Sequence, residues 1–229
     1  MADLRNANID SIYYRDGASM PASRYLMAKA RNEMFSLFMS ELKPTRDTTV
    51  LDLGVSDEET DEANVLEKRY PYQDRLTCAG LGNGQTVLSS YPGIQFIQIF
   101  AGKPLPFADK QFDIVHSNAV LEHVGGPDER RRFLLEALRI AKAVFIAVPN
   151  RWFPVEHHTG LPGIHFNKAL FRSALRNTKL GYWTDPRNLE FLSKSLLMRE
   201  WPGKTKPKLV YTGLKLGPFS SNIAIIAAD

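Results

Sequence analysis

Cysteine is almost missing from this chain of 229 residues: Cys78 stands alone. That excludes an internal disulfide framework and a cysteine-rich zinc centre, points to a reducing compartment, and leaves the thiol to act as a small buried hydrophobe. Long apolar runs are missing as well. None approaches the roughly 20 residues that span a bilayer, and the start, Met1-Ala2-Asp3-Leu4-Arg5, has no apolar signal-peptide core. The expected location is therefore the cytoplasm, with no transmembrane segment. Repeats, low-complexity tracts and any linker long enough to separate a second domain are also lacking, so one domain over 1–229 is expected. Neither sign of charge dominates. The formal net charge of +4 is too small to argue for an acidic partner. What is present, 44% hydrophobic and 24% charged residues, excludes disordered, collagen-like and coiled-coil chains.

Periodicity supplies the elements. Over 20–42, Leu26, Met27, Ala30, Met34, Leu37 and Phe38 recur at helical spacing and predict an amphipathic helix ended by Pro44. Thr49-Val50-Leu51-Asp52-Leu53-Gly54 is an apolar run of strand length closed by a glycine. Further strand-like runs recur at 75–81, 94–99, 112–116, 143–148, 208–212 and 222–227, with helix-compatible segments at 58–69, 85–91 and 128–141 between the earlier ones. Two more helical stretches are expected at about 167–176 and 187–199. This alternation predicts an α/β fold, a Rossmann-like, mainly parallel sheet of seven strands with helices on both faces. The last two runs, separated by a short Gly/Pro/Ser turn, predict an antiparallel C-terminal hairpin at the sheet edge over 208–229.

In such a sheet ligands gather at the carboxyl ends of the strands. Those ends read Asp52-Leu53-Gly54-Val55-Ser56, Gly80-Leu81-Gly82-Asn83-Gly84, Phe100-Ala101-Gly102, Ser117-Asn118-Ala119 and Pro149-Asn150-Arg151. Val50-Leu51-Asp52-Leu53-Gly54 resembles the first motif of the class I S-adenosylmethionine-dependent methyltransferases. Leu105-Pro106-Phe107-Ala108-Asp109-Lys110-Gln111-Phe112-Asp113-Ile114-Val115 and Ser117-Asn118-Ala119-Val120-Leu121-Glu122-His123-Val124 are similar to the stretches before and after strand four in the commonest small-molecule, type 11-like subgroup. The resemblance runs from about 48 to 156.

It implies S-adenosylmethionine as cofactor, a cofactor-binding core at 48–150, a helical lid at 1–45 bringing Tyr14 to the substrate, and a substrate-side insertion at 151–207. For the cofactor it implies Asp52, Gly54, Ser56, Leu81, Asn83, Phe100, Ala101, Ser117 and Asn118. For the acceptor it implies the loop after strand five: Asn150, Arg151 and Trp152 for binding, with Glu156, His157 and the helix-start His123 as candidates to take a proton. The chain also departs from the pattern. Only Gly54 remains of three alternating glycines, with Ser56 and Glu58 in the other places. The acid that would hold the ribose hydroxyls after strand two is replaced by Leu81-Gly82-Asn83-Gly84, which also reads as a plain turn.

Two readings follow: methyl transfer to a small-molecule or cell-envelope precursor acceptor, or a catalytically inactive binding or regulatory module of the same fold. No metal is expected. Adjacent His157 and His158 would point to opposite faces of a strand, and no helical i, i+4 histidine pair accompanies Glu156 or His165. The Asp128-Glu129-Arg130-Arg131-Arg132 run reads as a solvated helix start rather than a nucleic-acid contact. A dinucleotide is disfavoured because no G-x-G-x-x-G follows strand one. Divided at Asn150, the chain is acidic before and basic after, with 12 basic and 5 acidic side chains in 151–229. The acceptor side therefore favours an anion.

Overall fold

The computed structural model describes residues 21–58 and 63–228. In chain order the elements are α1 (Pro21–Leu42), β1 (Val50–Leu53), α2 (Val65–Arg69), β2 (Leu76–Gly80), α3 (Gln85–Ser90), β3 (Gln95–Gln98), β4 (Phe112–Asn118), α4 (Pro127–Ile140), β5 (Ala141–Pro149), α5 (Lys168–Leu175), α6 (Lys194–Glu200), β6 (Lys208–Leu216) and β7 (Phe219–Ala228). The seven strands form one sheet in the order β3-β2-β1-β4-β5-β7-β6. Strands β1 to β5 run parallel, and β7 lies antiparallel between β5 and β6. Strand order reverses between β1 and β4, so their carboxyl ends open the crevice in which ligands of such sheets sit.

Both faces are covered, which is why the central strands are continuous apolar runs rather than alternating ones. One face carries Leu51, Leu53, Val115, Ile146, Val148, Ile223 and Ile225 against Leu134 and Ala137 of α4 and Leu197 of α6. The other carries Val50, Ile114, Phe145, Ala147, Ala224 and Ile226 against Met34 and Phe38 of α1 and Leu66 of α2. Phe38 is fully buried, edge-on to Phe145 with centroids 5.5 Å apart. Helix α1 is thus packed on the sheet, and Lys208 Nζ to Glu41 fastens it to β6. Tyr14 and the rest of the expected lid's first 20 residues lie outside the described residues.

Two expected helices are shorter than their periodicity suggests. Helix α2 starts only after Asn64, which is left-handed (φ 51°) and whose amide donates to the carbonyls of Ser56 and Glu58. Residues 187–193 are not helical because their backbone is claimed by distant partners. Glu190 N donates to Glu122 O, and Arg151 N donates to Leu192 O. Helix α6 begins once Ser193 caps it by accepting from Leu196 N.

Candidate active site

The turn that ends β1 is shaped by its neighbour from β4. Gly54 has φ +100° and is exposed on its outer side, and a Cβ there would stand 2.3 Å from Val120 Cγ2. The amides of Gly54 and Val55 both donate to Ala79 O, which pins the turn to β2. Beside it, Ser117 is buried and donates to Leu53 O at 2.7 Å, tying β4 to β1. Asn118, one residue further, has a buried Oδ1 with no partner among the described residues. A buried carbonyl oxygen without a donor is an open place for one. Ser56 is buried and accepts from Glu58 N.

Asp52 turns into the protein. Its Oδ1 is 2.5 Å from His116 Nδ1, and burial pushes the carboxyl up to about 6. Burial also holds the His116 ring down at about 4, and the neighbouring Glu67 carboxyl well above its usual range. Cys78 donates to Glu67 at 3.2 Å, so the lone thiol is buried and hydrogen-bonded within this group.

At the end of β2 the turn is built around Asp57, not around a residue of its own. The Asp57 carboxylate accepts from Gly84 N and Thr86 N, both at 3.2 Å, and its Oδ2 lies 2.9 Å from where a Gly82 Cβ would be. Leu81 is half-buried and Asn83 accepts from Gln85 N, a local turn bond. Ala101 is exposed, and so is Phe100, at 57%, which removes it from the core.

The loop after β5 folds back over the carboxyl ends of β4 and β5 and encloses a small cavity lined in part by Glu122, Asn150, Arg151, Glu156, His157 and His158. Asn150 is structural in its contacts, donating to Ser220 O and accepting from Trp152 N. Trp152 is exposed at the rim and faces Phe166. Arg151 donates through Nη2 to Phe166 O at 3.0 Å, while its Nε is buried with no partner among the described residues.

Glu156 is a hub. It accepts from the His158 and Thr159 amides, from Thr159 Oγ1 and from His158 Nδ1, at 2.7 to 3.1 Å. Burial alone would raise its carboxyl; the His158 ring and these bonds outweigh it and hold the group at about 2. His157 sits apart against Phe153, partly buried, and burial lowers it to about 4. Burial disfavours its charged form, so the ring rests neutral. His123 is brought to the same place from the turn after β4, its Nε2 3.1 Å from His158 Nε2. Glu122 is buried there too, although only its neighbour stands out in the sequence. His158 already stands in the histidine cluster that the sequence shows after strand five; what the sequence does not show is that it meets His123, 35 residues away.

Residues 76–144 match the family described as a methyltransferase domain. No curated protein sequence matches the chain significantly. Solved structures do. One is a Thermotoga maritima SAM-dependent methyltransferase described as a possible histamine N-methyltransferase, 15% identical, covering 95% of this chain and 98% of that one with a TM-score of 0.59. A Rhodobacter sphaeroides protein described as a putative Zn-dependent alcohol dehydrogenase is 13% identical over 99% and 98% of the two chains, TM-score 0.62. The Burkholderia thailandensis 1,6-didemethyltoxoflavin-N1-methyltransferase, solved with that molecule and S-adenosylhomocysteine, is 16% identical over 99% and 88%, TM-score 0.53. At these identities the likeness is one of fold.

Proposed function

We propose that this chain is a class I S-adenosylmethionine-dependent methyltransferase, supported by its matched domain at 76–144 and its fold, and that it transfers a methyl group to a small anionic acceptor at the cavity beyond β4 and β5. The observation that carries this reading is the buried, unpartnered Asn118 Oδ1 beside the Gly54 turn, at the point where strand order reverses. An amide oxygen there suits an ammonium such as that of the cofactor's methionine end.

An Asp57 carboxylate oxygen stands 2.9 Å from where a Gly82 Cβ would be, close to where an acid after β2 would reach, which supports retained ribose binding against the reading of an inactive module. When bound, the cofactor supplies a methyl on a sulfonium whose departure leaves a neutral thioether. The protein's work is then to orient and to exclude water. Arg151 Nε offers a buried cationic donor to an acceptor carboxylate or phosphate. His157 is the group that takes a proton where the acceptor carries one, since Glu156 is fully engaged in holding His158 and Thr159.

Calorimetric titration of the purified chain with S-adenosylhomocysteine tests the cofactor half of this reading. One site is expected, and Asn118→Ala should weaken it by roughly 10–100-fold, the equivalent of a hydrogen bond to a charged group at about 1.5–3 kcal/mol. Absence of heat at millimolar ligand would place the chain with the inactive binding modules instead. No helix among the described residues is long and apolar enough to cross a membrane.

A further inference from the structure

We propose that Glu122, His123 and His158 form a site for one divalent first-row transition ion, zinc or iron(II), at the inner wall of the acceptor cavity. Hydrogen bonds on the far side of each ring fix the tautomers. His123 Nδ1 lies 2.7 Å from Asn188 O, a carbonyl that can only accept, so Nδ1 carries the proton. His158 Nδ1 lies 2.8 Å from Glu156 Oε1, and the same assignment follows. In the neutral rings both Nε2 atoms are then lone-pair donors, yet they face each other at 3.1 Å. Two lone pairs at that distance repel, so the contact needs positive charge there, either a second proton on one ring or a metal ion held by both.

Glu122 supplies the third ligand. It is 1% exposed, both of its carboxylate oxygens are buried without a hydrogen-bond partner among the described residues, and Oε1 is 3.8 Å from His123 Nε2. A carboxylate so placed carries a large desolvation cost that a metal ion offsets directly. The three ligand atoms lie within 4.8 Å of one another. An adjustment on the order of an ångström brings them to the ~2.0–2.2 Å bonds of a zinc site.

The outer shell is already that of a metal centre. Ligating histidines hand their second N–H to a carboxylate or a backbone carbonyl, which fixes tautomer and ring orientation. Here Glu156 and Asn188 O do so, and Glu156 is itself held by Thr159. Trp183, buried, packs against both rings with centroids at 4.8 and 5.8 Å. Two imidazoles and one carboxylate leave coordination positions open, and imidazole selects zinc or iron(II) over magnesium or calcium. Glu122 and His158 both line the cavity that holds Arg151. A ligated ion would therefore meet an acceptor's oxygen there and lower the pKa of a bound hydroxyl. Binding of the ion does not depend on the methyl-transfer reading; only its meeting with an acceptor rests on that reading.

The test uses the full chain stripped with a chelator and then titrated with Co²⁺ as a spectroscopic stand-in for zinc, and anaerobically with Fe²⁺. Uptake of one ion per chain, with the visible d–d bands of a four- or five-coordinate Co²⁺ site displaced by Zn²⁺, is the expected result; the preferred ion distinguishes zinc from iron. Glu156→Gln, which touches no metal, should weaken uptake by about 10–100-fold, and Glu122→Gln by more, with circular dichroism of the metal-free variants unchanged. No stoichiometric uptake by the wild-type chain would overturn the proposal and leave a shared proton between the two rings. Uptake undiminished in both variants would overturn it equally, since the ion would then be bound elsewhere.

Discussion

Replacing Glu200 by alanine is expected to lower the unfolding free energy by about 3–5 kcal/mol, although the residue sits at the end of a short helix and touches no ligand site. The reason is Arg130. The residue is 2% exposed and its guanidinium is fully committed: Nε and Nη2 donate to the two Glu200 oxygens, each at 2.8 Å, and Nη1 donates to Gly125 O at 2.7 Å. The pair joins the first turn of α4 to the last turn of α6, both on the face that covers β1, β4 and β5. Removing the carboxylate leaves a buried cation with one acceptor, whereas removing both charges, as in R130M/E200A, should recover most of the loss because an apolar side chain is at home in that place. On the same helix but facing solvent, Arg132 pairs with Glu129 at 2.9 Å, and E129A is expected to cost under about 1 kcal/mol. Chemical denaturation of the three variants decides it. An E200A cost as small as that of E129A would mean that water reaches the Arg130 guanidinium after all.

Arg130 also marks a limit of local sequence patterning. The Asp128–Arg132 run reads as a solvated helix start, and most of it is, but at helical spacing Arg130 falls in line with Leu134 and Ala137 on the buried side. A charge on that face needs a partner, and Glu200, 70 residues on, gives no local sign of being one. The strands, by contrast, are legible from short apolar runs bounded by glycine and proline, because both faces of a parallel sheet are buried and the runs are unbroken. The resemblance at 105–124 agrees with the methyltransferase domain matched over 76–144 and with the observed fold.

The site is legible as positions but not as roles. Asp52, Ser117 and Asn150 stand where ligand-facing residues are expected, yet their side chains bond to His116, to Leu53 O, and to Ser220 O and Trp152 N. The basic excess after Asn150 is likewise partly neutralised in place, Arg187 on Asp185 and Lys168 on Glu190, and Arg151 is the lysine or arginine that lines the cavity. Spacing rules for metal ligands look along one helix or strand. Glu122 and His123 on one turn and His158 on another loop are beyond such rules until the fold joins them.

Gly54→Ala should be the most damaging change at the cofactor end, and its damage has two separable components. At φ +100° an alanine is strained, at a cost of about 1–3 kcal/mol. Its Cβ would also stand 2.3 Å from Val120 Cγ2, an overlap that costs about 1–3 kcal/mol more once neighbours shift. Val120→Ala removes the two methyls while leaving the backbone as it is, so G54A/V120A should regain the overlap component and keep the strain, a coupling of roughly 1–3 kcal/mol between the sites. If G54A unfolds at the same denaturant concentration as the wild type, the turn is more pliable than its hydrogen bonds to Ala79 O imply.

The same pair of variants asks why this one glycine of the first motif persists. If it persists for the approach of Val120 alone, S-adenosylhomocysteine binding lost in G54A returns in G54A/V120A along with the overlap part of the stability. If the exposed outer side of Gly54 is where ligand meets backbone, the overlap part of the stability returns and binding does not, because the added methyl still stands on that turn. The second outcome is the one the proposed function requires.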